Sequence, residues 1–220
     1  MRALAAALVL LLPGLAAGAD GCPPAGTQAP RPTLELTGGS VETAWHNEVP
    51  KAGITRMAGR EPANEGLFNT GLTRTGTQLR INPEIWWVEL GQGRTCLGLG
   101  RVTATWRIEQ MDVDIAAEYP PGSCQYKVVR EHEGEHVVLT RQTFDAFVPE
   151  MRARLGEAVA RTAPLVTTED PDTAGHRLVD RLMAEARPVL DAYDRERARV
   201  NAAIDTTESY RRSSARCPEW

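Results

Sequence analysis

Apolar and polar residues change rhythm about halfway along the chain. Between Thr73 and Tyr119 the apolar positions come in short runs rich in β-branched and aromatic residues: Thr77 to Ile81, Glu84 to Leu90, Thr95 to Leu99, Arg101 to Ile108 and Asp112 to Ala117. Gly, Asn and Pro punctuate them, which is the pattern of strands separated by tight turns. Such short links predict an antiparallel meander. Met111, Asp112, Val113, Asp114 and Ile115 alternate apolar and acidic, as expected of a strand with one wet face. Met111 to Ala117 is the candidate edge strand for pairing with an extended peptide. A first strand is expected over Thr33 to Thr37. Positions 38–71 carry no clear period, and His46, next to Trp45 in a polar stretch, reads as a surface or loop histidine.

After Pro120-Pro121-Gly122-Ser123 the period becomes helical. Ser123 is placed to cap a helix whose apolar stripe runs Tyr126, Val129, Glu133, Val137, Thr140, Phe144, Phe147, Met151, Leu155, in steps of three or four. Pro149 should kink or restart this helix. A polar loop is expected over 162–173. A long helix then spans about 174–203, with Leu178, Leu182, Ala186, Val189, Tyr193, Val200 and Ile204 as its core stripe and a bend at Pro188. The expected class is α+β, one domain over 20–220, β-rich over about 33–119 and helical over about 123–212.

Residues 1–19 read as a signal peptide: Arg2 before an apolar run, then Ala17-Gly18-Ala19 as a cleavage site. The expected location is secreted or periplasmic, and a lipid anchor at Cys22 is the lesser alternative because Asp20 spoils the lipobox. No other stretch has the apolar length of a membrane span. Net charge is −4 with the signs interspersed, which implies no nucleic-acid partner and suits a monomer. The four cysteines predict two disulfides in an exported chain, and three pairings are possible. Cys96 with Cys124 and Cys22 with Cys217 is the expected choice, tying strand to helix and one chain end to the other.

The chemistry lies in His132-Glu133-Gly134-Glu135-His136. On a helix the imidazoles at i and i+4 share a face and can grip one metal ion. Zinc is the expected ion, His132 and His136 its ligands, and Glu133 the base that takes a proton from the attacking water. The alternative, a solvated charge run, is suggested by Glu131 and Glu135. It leaves Glu133 unexplained, because a lone carboxylate on an apolar stripe costs several kcal/mol, on the order of 2–7, unless something pairs with it or uses it. A catalytic zinc site wants a third protein ligand. Glu150 and Glu157 lie about 20–30 Å along the helix from His136 and cannot reach. His176, Glu185, Asp191, Asp194, Asp205 and Glu208 remain open.

The run Gly122-Ser123-Cys124-Gln125-Tyr126, with His132-Glu133-Gly134-Glu135-His136-Val137, resembles bacterial secreted proteins of unknown function described as predicted zinc-dependent proteases. Their order is similar: signal peptide, β-rich half, motif helix, long helical tail. The resemblance implies a zincin-like fold, an antiparallel sheet packed on the motif helix, and peptide or protein substrates. In such tails an Asp and a Thr precede a third ligand, often His. Here the comparable stretch, Asp205-Thr206-Thr207-Glu208-Ser209-Tyr210, has no histidine, and the resemblance points to Glu208. Tyr210 is then the candidate donor to a developing oxyanion. The expected function is an exported zinc metallopeptidase. Its rivals are a non-catalytic, disulfide-tied envelope binding or scaffold protein, and a metal-dependent amidase acting on cell-wall material.

Overall fold

The structure is a computed structural model and describes residues 21–23, 30–59 and 68–220. The signal-peptide expectation for 1–19 lies outside the described residues. The elements run β1 (Thr33–Ser40), β2 (Ala44–His46), α1 (Lys51–Met57), β3 (Gly71–Gly91), β4 (Arg94–Ile115), α2 (Cys124–Arg161), β5 (Leu165–Thr167), α3 (Pro171–Ala202) and α4 (Thr207–Ser214). The class is α+β, and no helix among the described residues is long and apolar enough to cross a membrane.

The five runs expected as a meander are two strands of 21 and 22 residues, β3 and β4, folded into one hairpin. Their turn is Gln92-Gly93, both with positive φ (55° and 69°), the geometry of a tight type I′ turn. Asn82-Pro83 reads as a break in sequence. In the fold both residues stay paired with β4 and the register shifts just after them, between Pro83 and Ile85, in a strand that pairs with β4 alone. Gly98 gives its space to the Trp86 ring, which would stand 2.6 Å from an added Cβ. The sheet is mixed, not wholly antiparallel: β1 and β2 run parallel to β4, β3 and β5 antiparallel. Parallel pairing follows from the long route the chain takes from β2, through α1, before it enters the hairpin.

This topology corrects the edge-strand expectation. Asp112, Val113 and Asp114 lie inside β4, paired with β2 on one side and with β3 on the other. Nor is their acidic face wet throughout. Asp114 is buried and accepts two hydrogen bonds from Arg74, from Nε at 3.1 Å and Nη2 at 3.0 Å. β3 pairs with β4 alone, so among the described residues its other edge has no strand beside it, as is also true of β1, β2 and β5.

α2 begins as expected, with Ser123 Oγ accepting from the Tyr126 N–H, and it runs unbroken through Pro149 as one 38-residue helix. Val129, Glu133, Val137, Thr140, Phe144, Met151 and Leu155 are all buried along the predicted stripe. Trp106 of β4 meets Phe144 and, edge on, Tyr193 of α3, with centroids 4.6 and 5.3 Å apart. These rings join sheet and both long helices in one core. α3, capped by Asp170 with Pro171 in its first turn, runs back along α2. From the turn joining them, His136 and Asn201 each lie about 40 Å along their helices. The return therefore delivers the end of α3 to the motif.

Both disulfides exist, with pairing opposite to the expectation: Cys22–Cys96 and Cys124–Cys217. Cys96 sits at the buried start of β4, far along the sheet from the helix cap, so it closes on the N-terminal lead-in. A lipid anchor on Cys22 would need the sulfur that Cys96 holds. By chain entropy each closure contributes about 4.5 kcal/mol.

Candidate metal centre

Glu133 is 5% exposed, the buried carboxyl of the α2 stripe. Its Oε2 accepts a 2.7 Å hydrogen bond from Thr73 Oγ1 of β3. Two residues earlier, Gly71 has no side chain, and a Cβ there would press into Glu133 Oε1 and stand 2.7 Å from Val129 Cγ1. The start of β3 thus supplies a gap for the carboxylate and a donor to hold it. Burial pushes the Glu133 carboxyl up, while the Thr73 bond and the nearby His136 and His132 pull it back only in part.

His132 and His136 present their Nε2 atoms to one oxygen, Asp205 Oδ1, at 3.0 and 3.1 Å. The Tyr210 hydroxyl donates to the same oxygen at 2.8 Å. Asp205 follows the end of α3 and stands just before Thr206, whose Oγ1 caps α4 by accepting from the Ser209 N–H. Burial pushes the Asp205 carboxyl up, but the bonds from His132, His136 and Tyr210 outweigh it and hold the group well below the usual carboxylate range. For His136, burial pushes the imidazolium down, and the bonds to Asp205 and Asn201 with the charges of Asp205 and Glu133 more than reverse it. Both His136 nitrogens face acceptors, the carboxylate at Nε2 and Asn201 Oδ1 at Nδ1, 2.7 Å away. Without a metal this is the setting of a doubly protonated ring.

The donor set fits a metal ion. His132, His136 and Asp205 each offer one ligand atom, all within 4.8 Å of one another. In a tetrahedral site with bonds of about 2.0–2.1 Å, ligand atoms sit about 3.3 Å apart, close to the 3.0 and 3.1 Å between each imidazole nitrogen and Asp205 Oδ1. Two imidazoles with one carboxylate form a ligand set used by catalytic zinc. A cavity of about 250 Å³ opens here, lined by Gly71, Thr73, Glu133, His136, Asp205 and Tyr210 among others. A larger open groove between α2 and α3, about 600 Å³, contains none of the motif residues.

Glu208, the expected third ligand, is turned away. It sits in the first turn of α4, exposed, in a 2.7 Å ion pair with Arg211. The carboxylate brought to the histidines is Asp205, three residues earlier. Tyr210 does reach the site, through Asp205 and with its ring 5.5 Å from that of His132. His46 stays on β2, 3.9 Å from Asp112 and away from the centre. The charged flanks of the motif serve the tail: Glu131 pairs with Arg216 at 2.6 Å, which holds its carboxyl below the usual range. Gly71, Thr73 and Asn201 escape a sequence reading, although the i, i+4 spacing of Asn201 and Asp205 at a helix end repeats that of the histidines they meet. Comparison with protein-family models, curated proteins and solved structures found no match.

Proposed function

We propose that the chain is an exported, zincin-like metallopeptidase in which zinc is held by His132, His136 and Asp205 and Glu133 is the general base. The observation that carries this reading is the convergence of two imidazole nitrogens and a carboxylate oxygen beside a cavity that His136, Asp205 and the buried carboxylate of Glu133 line together. Bound zinc would act as a Lewis acid on the scissile carbonyl and lower the pKa of water. Glu133, held by Thr73 and aimed into the cavity, takes the proton of the attacking water and returns it to the leaving amine. Tyr210, its hydroxyl already at the metal ligands, donates to the oxyanion. An extended substrate adds to the free edge of β3, whose first residues line the cavity beside Glu133.

Purified protein should hold stoichiometric zinc and cleave members of a peptide library. Glu133→Gln should keep the zinc and lose hydrolysis by about 10²- to 10⁴-fold. Unchanged cleavage in that variant removes Glu133 from the mechanism. Zinc without any cleavage favours the binding or scaffold reading, for which the disulfide-tied frame is equally suited.

A further inference from the structure

Asn201 stands directly behind His136, on the last turn of α3. Its side chain is oriented by its own partners: Nδ2 donates to the Arg197 carbonyl at 2.8 Å and approaches Thr140 Oγ1 at 3.4 Å. With the amide nitrogen committed there, Oδ1 faces His136 Nδ1 at 2.7 Å. An amide oxygen only accepts, so Nδ1 must carry a hydrogen. In the neutral ring the lone pair then falls on Nε2, the nitrogen turned toward Asp205 and the candidate metal position. Among the described residues His132 Nδ1 has no such partner. Arg197, whose backbone carbonyl accepts from Asn201, also ties this turn of α3 to the sheet: its Nη1 donates to Thr75 Oγ1 at 2.6 Å. Thr75 lies two residues beyond Thr73 on β3, so the strand that holds the base also anchors the helix turn next to Asn201.

We infer that Asn201 is a positioning residue that selects the His136 tautomer able to ligate and thereby sets the metal affinity of the centre. The inference rests on the metal-site reading above. A flipped or missing amide leaves Nδ1 free to give up its hydrogen, and a ring that instead protonates Nε2 is lost as a ligand. Partners of this kind behind a ligating histidine are worth about tenfold to a hundredfold in metal affinity.

The test is zinc affinity, measured by competition with a chromophoric chelator, in wild type, Asn201→Ala, Asn201→Leu and Asn201→Asp. Asn201→Leu keeps the shape of the side chain and removes the acceptor; Asn201→Asp keeps the acceptor. The Ala and Leu variants should bind about 10- to 100-fold more weakly, and the Asp variant should recover to within a few-fold of wild type. In the cobalt-loaded protein the exchangeable His136 Nδ1–H resonance should be present in wild type and Asn201→Asp and lost to exchange in Asn201→Leu. Wild-type affinity with an intact resonance in Asn201→Leu overturns the inference while leaving the metal site standing, and so does an Asp variant as weak as Leu. Wild type that binds no zinc overturns both.

Discussion

The two halves of the candidate metal centre are held in opposite ways. His132, Glu133 and His136 ride on α2, whose inner face is built into the core alongside Val129, Val137 and Phe144. Asp205 and Tyr210 belong to the tail, where α4 has no buried residue at all. What keeps the tail in place is the Cys124–Cys217 bond to the first residue of α2, the Arg216–Glu131 pair, the Gln125 bond to the Glu219 carbonyl and the edge-on contact of Trp220 with Tyr119. One half of the site is therefore as rigid as the fold, and the other is a strap fastened covalently at its far end. Folding and ligand assembly are separable in such a design. The strap can be opened without dismantling the core.

The largest effect on hydrolysis is expected on the rigid side. Gly71→Val would drive carbons into Glu133 Oε1 and Val129 Cγ1. Overpacking of this kind costs about 1–3 kcal/mol, so the melting temperature should fall and hydrolysis should fall further than stability explains, while zinc binding survives. A variant with full activity would show that the carboxylate does not depend on the gap at β3.

Opening the strap should do the reverse. Cys124 is exposed whereas Cys96 is fully buried, so a mild dithiol should reduce Cys124–Cys217 first. Reduction, or Cys217→Ser, should weaken zinc binding while far-ultraviolet circular dichroism stays that of the native fold. The variant should lose up to about 4.5 kcal/mol of stability, the entropic contribution of the bond. Undiminished zinc affinity would mean that the non-covalent contacts of the tail suffice.

The smallest effect is the pH dependence of stability. His136 and Glu133 are both raised in the folded chain. A raised group stabilises fully below its unfolded value, about 6.5 for His and 4.3 for Glu, and that contribution is lost as pH rises through the folded value. Metal-free protein should therefore become less stable as pH rises from about 5 through neutrality. Zinc competes with the His136 proton, so the stabilisation it adds should grow over the same range. A zinc-induced shift in melting temperature that is flat with pH would contradict this linkage.

Much of the rigid half was legible in the residues. The stripe from Val129 to Leu155 places Glu133 in the core because helical period and burial are local properties, and Ser123 announces the cap. The strands were legible as β but not as two, since Pro83 and Gly100 look like breaks and instead lie inside β3 and β4. The strap was hardest to read. Cysteine pairing depends on which chain ends meet. Whether Asp205 or Glu208 faces the histidines depends on where α3 stops and how α4 turns away from it, a matter of three residues and one cap at Thr206. Gly71 and Thr73 matter only through a helix some sixty residues away.

In the proposed centre Asp205, not Glu208, is the third ligand beside His132 and His136. Zinc affinity and stoichiometry measured side by side for wild type, Asp205→Ala and Glu208→Ala test it most directly. Wild type and Glu208→Ala should each hold one zinc per chain with the same affinity, and Asp205→Ala should show a large loss; loss in Glu208→Ala with Asp205→Ala unaffected would overturn the Asp205 assignment.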